Sequence, residues 1–142
     1  MKHFFLDTNI LLDFLIDRGE VSEDATALIQ NAINKKCKLY CSSLTYSHIF
    51  YITRKIHGTA TAKKNIKTLL SIISALPVNE SHILEGLAAI HSDLEDGIQY
   101  QCCIQNNKMD ALITRDRKAF PRKKMTILNP KSALFLLDTN AK

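Results

Sequence analysis

Asp7 interrupts an apolar run, with FFL before it and ILLDFL resuming after Thr8 and Asn9. A second acidic group, Asp93, Glu95 and Asp96 in SDLEDGIQYQ, opens a helical pattern, and Asp116 follows the apolar segment ALIT by two residues. Singly, each acid has a structural explanation. Carboxylates at a helix start satisfy free amides and complement the dipole for about 0.3–1 kcal/mol each, so Asp93 would serve as N-cap with Asp96 at the third helical position. Asp7 could cap a following helix, helped by Thr8 and Asn9. Brought to one crevice, however, the three groups would repel one another unless a cation lay between them. Hard divalent ions such as Mg²⁺ or Mn²⁺ prefer carboxylate oxygen and keep several waters. Such an ion polarises a phosphodiester, activates water and stabilises the departing oxygen.

The rest of the composition suits a polyanionic substrate. The chain has 142 residues and a formal charge of +5, with a pI near 9.1. Its cations group at Lys35, Lys36 and Lys38, at Arg54 and Lys55, at Lys63, Lys64 and Lys67, and along Arg115 to Lys124. Any one group reads as solvated surface; together they supply the sequence-independent part of nucleic-acid affinity. The four cysteines, Cys37, Cys41, Cys102 and Cys103, form no CxxC pair and have no histidine at finger spacing, so they are expected as reduced packing residues rather than zinc ligands. No apolar stretch approaches bilayer-spanning length and the N-terminus reads as a strand rather than a signal peptide, which predicts a soluble cytoplasmic protein without a membrane partner. No phosphate-cradling GxGxxG or GxxxxGK[ST] loop is present, which weakens a phosphatase reading.

These side chains need elements to position them. HFFL (3–6), KLYC (38–41), MDALIT (109–114) and MTIL (125–128) read as strands, with a further short LPVN segment at 76–79. Helical spacing predicts helices over 22–34 with Ser22 as N-cap, 44–57 ending at Gly58, 59–74, 81–91, 93–106 and 130–137. Strands alternating with helices of this length imply parallel βαβ units. The expected fold is one α/β domain over 1–142, a three-layer α/β/α sandwich around a mostly parallel sheet of about five strands. In such sheets the site lies beyond the carboxyl ends of the strands, where Asp7 and Asp116 would both project.

In order and spacing, FFLDTNILLDFL, SSLTYSHIFYI, DLEDGIQYQCC and ALITRDRKAF resemble the PIN-domain proteins, most nearly the bacterial VapC-like toxin branch. The resemblance runs from Lys2 to about Leu136. It implies a Mg²⁺- or Mn²⁺-dependent ribonuclease, an endonuclease acting on single-stranded RNA, with a small antitoxin protein as partner and a homodimer as assembly. Carried onto this chain, Asp7, Asp96 and Asp116 match metal-binding catalytic acids. Asn9 and Thr114 match polar neighbours of the metal and the phosphate, with Arg115 beside them toward substrate. Asp93 and Glu95 match no fixed role.

One position departs from the family pattern. The second acid of the resemblance, usually Glu in a T-x-x-E helix start, is His48 here, and no acid occurs between Asp24 and Glu80 to replace it. His48 has three readings: a metal ligand through a neutral ring nitrogen, a water-holding group, or a packing residue. The alternative function is accordingly a PIN-like nucleic-acid-binding or partner-binding module with reduced or lost catalysis. The faces of helices 44–57 and 59–74 are where a dimer interface is expected, unless Tyr46, Phe50 and Tyr51 are core.

Overall fold

A computed structural model describes residues 1–88 and 93–140 of the chain. The chain order is β1 (Lys2–Leu6), α1 (Thr8–Leu15), α2 (Glu20–Ile33), β2 (Cys37–Ser42), α3 (Ser43–His57), α4 (Thr59–Leu70) and β3 (Ile73–Leu76). It continues with α5 (Glu80–Leu87), α6 (Leu94–Ile104), β4 (Ala111–Ile113), a 3-10 turn (Arg117–Ala119), β5 (Ile127–Leu128) and α7 (Pro130–Asn140). All strand pairs are parallel and the sheet order is β3-β2-β1-β4-β5. The expected α/β sheet of five strands is therefore present.

Alternation along each strand divides the core between two faces. Phe4 and Leu6 of β1, Leu39 of β2 and Ile113 of β4 pack with Leu28 and Ile29 of α2, Ile49 of α3 and Ala133 of α7. Phe5 and Leu112 point the other way, onto Tyr100, Cys102 and Cys103 of α6. The four cysteines are buried free thiols, and burial pushes Cys37 and Cys102 up to about 11 and Cys41 to about 12. They are inert packing groups.

Several element boundaries differ from the sequence expectation. Helix α2 begins at Glu20, after Gly19 at φ 78°, and Ser22 is not its cap. The Ser22 hydroxyl instead accepts from the Arg18 amide at 2.7 Å and donates to the Ile16 carbonyl at 3.0 Å, pinning the α1–α2 loop. The helix expected to reach residue 74 ends at Leu70, where Ser71 Oγ donates to the Thr68 carbonyl at 2.6 Å. Ile73 then pairs with Leu39 and opens β3, so the strand precedes most of the LPVN segment. Residues 89–91, the end of the helix expected over 81–91, lie outside the described residues. Tyr46 is core, its hydroxyl donating to the Ile73 carbonyl at 2.6 Å, whereas Tyr51 is 52% exposed.

The strand order reverses between β1 and β4, because β1 continues to β2 and β3 on one side while β4 and β5 lie on the other. A crevice at the carboxyl ends beside such a reversal is where open α/β sheets bind ligands.

Candidate active site

Asp7 stands at that reversal. Its amide donates to the Ile113 carbonyl of β4 at 3.0 Å, and its own carbonyl accepts from Ile10 as α1 begins. It occupies the N-cap position of α1, yet its side chain closes no capping bond. The carboxylate is only 5% exposed, with Oδ1 accepting from Gln99 Nε2 at 3.2 Å and Oδ2 from Thr114 Oγ1 at 2.8 Å. The capping explanation of Asp7 thus gives way to an acid held from α6 and from the end of β4.

The holding groups form one buried network. Gln99 Oε1 accepts from the Thr8 amide at 2.9 Å and from Thr8 Oγ1 at 3.1 Å, which turns its amide nitrogen toward Asp7. Thr8 Oγ1 lies 3.0 Å from Thr45 Oγ1, and Thr45 Oγ1 lies 3.1 Å from Ser42 Oγ. Because Thr8 Oγ1 donates to Gln99, it must accept from Thr45, so the chain runs in one direction from the start of α3 toward Asp7. Beyond Asp7, Thr114 Oγ1 also accepts the Asp116 amide at 3.0 Å, which fixes the exposed Asp116 on its turn. Sequence reading missed Gln99. Its one signal is its place three residues after Asp96, on the same helix face, as a polar residue between Ile98 and Tyr100.

The acids act on one another through space. Burial raises the Asp7 carboxyl above its ordinary value, opposed by the hydrogen bonds from Thr114 and Gln99. Asp96 is pushed up to about 6, first by burial and then by the charges of Asp93, Asp7, Glu95 and Asp116. Carboxylates from β1, α6 and the β4 loop therefore share one field. Asp93 has a structural part in it: its Oδ1 caps α6 by accepting the Asp96 amide at 2.8 Å. His48 Nδ1 meets Glu95 Oε1 at 2.8 Å across the mouth of the crevice, with both side chains partly exposed. Among the described residues, no three His, Cys, Asp or Glu side chains gather closely enough to hold a metal ion by themselves. The donor chemistry nonetheless fits a hard divalent ion: it is an open, oxygen-rich, mutually repelling set, suited to an ion that retains several waters.

Two further residues frame the site. Arg115, expected toward substrate, directs Nε and Nη2 at Asp13 (2.5 and 3.2 Å), and Arg18 Nη1 approaches the same carboxylate at 3.2 Å. Asp13 is fully buried, so this pair locks the β4 loop onto α1. Asn9 is exposed in the first turn of α1. The start of α6 is braced by α5, where Gly86 and Gly97 cross at backbone contact. A Cβ on Gly97 would stand 2.7 Å from the Gly86 carbonyl oxygen, closer than any side chain permits.

A family model described as the PIN domain matches residues 3–118. No curated protein matches the sequence. Among solved structures, the chain is similar to one in VapBC2 from Rickettsia felis bound to a DNA fragment from their promoter. The TM-score is 0.67 at 14% identity, covering 89% of this chain and 98% of that one. It is also similar to a chain of VapBC-1 from nontypeable Haemophilus influenzae, with TM-score 0.66 at 18% identity, covering 91% and 98%. At these identities the likeness is one of fold.

Proposed function

The chain belongs to the PIN-domain family, and on that premise we propose that it is a metal-dependent ribonuclease that cleaves single-stranded RNA internally. The observation that carries the reading is the buried network that aims Asp7 into the crevice where Asp96 feels the charge of four other carboxylates. Asp7, Asp96 and Asp116 are the residues that would hold Mg²⁺ or Mn²⁺. The ion, when bound, would polarise the phosphodiester, lower the proton affinity of water and neutralise the leaving oxygen. Gln99 and Thr114 keep both Asp7 oxygens oriented, so the carboxylate needs no rearrangement when a cation arrives. Thr114 does the same for Asp116 by holding its amide, and one of the three acids orients the attacking water. Of the two polar neighbours expected at the phosphate, Asn9 is exposed and free to meet it, whereas Thr114 is fully buried and serves by holding Asp7 and Asp116. Arg115 serves the site by fixing its loop to Asp13.

The similarity to chains of two VapBC structures supports the role of toxin in a toxin–antitoxin pair with a small antitoxin as partner; a homodimer as assembly and the cytoplasm as the place of action complete the proposal. No helix among the described residues is long and apolar enough to cross a membrane. The test is cleavage of single-stranded RNA with Mg²⁺ or Mn²⁺, expected in the wild type and abolished in Asp7→Asn. RNA left intact with both ions would sink the nuclease reading. The His48–Glu95 pair favours a second reading, a binding module in which a histidine and a borrowed carboxylate replace the helix acid and catalysis is lost. RNA binding that survives EDTA without any cleavage, together with cleavage gained in His48→Glu, would select it.

A further inference from the structure

An open cavity of about 410 Å³ adjoins the crevice, within the usual 300–1,000 Å³ of small-molecule pockets. His48 and Glu95 form its side toward the acids, Leu44 and Ile98 supply apolar wall, and Ser47 and Tyr51 carry it along α3. Tyr51 is a large aromatic ring left 52% exposed on a helix whose other aromatic residues are buried, as Tyr46, or half-buried, as Phe50. Cations surround that ring. Lys55 Nζ lies 4.1 Å from its centroid and donates to its hydroxyl at 3.0 Å, and the Arg54 guanidinium lies 5.3 Å from the centroid.

We propose that Tyr51, with Arg54 and Lys55, is a nucleotide subsite that stacks one base of single-stranded RNA and contacts its adjoining phosphate. This rests on the ribonuclease reading and extends it along the strand. His48, Tyr51 and Lys55 follow one another at helical spacing, so a single face of α3 leads from the acids to the ring and on to the cations over about 10 Å of helix rise. The charge along that path is of one sign beyond Glu95. Neither α3 nor α4 contains an acid, and α4 adds Lys63, Lys64 and Lys67. An exposed aromatic ring beside a cationic track is how single strands are held without sequence readout, since every base has a π-face and every linkage a charge. A protein partner would be expected to find more apolar surface and fewer cations on this strip.

The test measures binding in EDTA, where nothing is cut, by fluorescence anisotropy of a labelled oligouridylate and an abasic strand of equal length. The wild type is expected to bind the base-bearing strand about tenfold more tightly. Tyr51→Leu should bind the two strands alike, and Tyr51→Phe should keep the wild-type preference because the ring remains. Lys55→Gln should weaken both strands and lower the salt dependence by about 0.7 in log–log slope, the loss of one phosphate contact. A Tyr51→Leu variant that retains the preference overturns the subsite. So does one that binds RNA normally but changes the molecular mass in solution, which would assign this face to a homodimer. Cleavage by the wild type with Mn²⁺ alongside either result would leave the nuclease reading standing. A wild type that neither binds nor cleaves RNA overturns both.

Discussion

In metal-free protein, replacing Asp96 by Asn should raise stability at neutral pH and leave it unchanged in acid. Folding moves the Asp96 carboxyl from 3.8 to about 6, through burial first and then the charges of Asp93, Asp7, Glu95 and Asp116. A carboxyl raised in this way holds in the native state a proton that the unfolded chain releases. Its favourable contribution is complete below about pH 4 and disappears as the pH rises through 6. At full strength the difference is worth about 3 kcal/mol. Asp96 is half-buried, and solvent screening reduces this to ~1–2 kcal/mol. Asparagine is neutral throughout, so the variant should be more stable by that amount at pH 7.5, a rise of about 3–8 °C in Tm for a domain of this size. The two proteins should converge only below about pH 4, with about a third of the difference left at about pH 4.5. Thermal unfolding followed by circular dichroism in EDTA, at intervals between about pH 3.5 and 8, gives the comparison. Mn²⁺ should then raise the wild type more than the variant. A difference that is constant across the range, or a variant less stable at every pH, would refute the shared field of the acids.

Gln99→Leu should lower stability by about 2–4 kcal/mol in urea denaturation, because it strands the buried Thr8 amide and one Asp7 oxygen. Gly97→Ala sets about 1 kcal/mol of helix propensity against ~1–3 kcal/mol of overpacking on the Gly86 carbonyl, so its melting point should fall by a few degrees. Arg115→Gln leaves fully buried Asp13 with Arg18 alone and should cost ~1–3 kcal/mol, read by denaturant midpoint, with substrate binding affected less than loop stability. Saturating Mn²⁺ at tenfold over its Kd should add about 1.4 kcal/mol to the wild type and far less to Asp7→Asn, measured as a shift in melting temperature.

The parallel sheet was readable because each strand is a short apolar run bounded by polar turns and separated from the next by a full helix. Asp7 was conspicuous for a related reason: an acid at the end of a buried strand has few structural uses. Asp93 as a cap was equally local, since the amide it accepts is only three residues away. Strand β3 was hidden because Ile66, Leu69, Leu70 and Ile73 continue a helical stripe. Only pairing with Leu39, far back in the sequence, makes a strand of Ile73. Gln99 was missed on the same grounds, its partners Asp7 and Thr8 lying more than ninety positions earlier. Arg115 looked like a phosphate ligand beside Asp116, and nothing in its neighbourhood announces Asp13, 102 positions away.

Both hydrogen bonds to the Asp7 carboxylate come from residues 92 and 107 positions further along the chain. During synthesis, a chain that has completed β1, α3 and β3 therefore carries Asp7 and His48 but none of the groups that orient them. At that stage β1 is an edge strand, with Phe4, Phe5 and Leu6 open on the side that β4 will later take. Such an edge is prone to pair with other chains, so the docking of β4 closes a surface open to aggregation in the nascent protein. The same event delivers Thr114 and Asp116. Covering the open edge of β1 and bringing Asp116 to Asp7 are one late step, and a chain released before β4 has no assembled site.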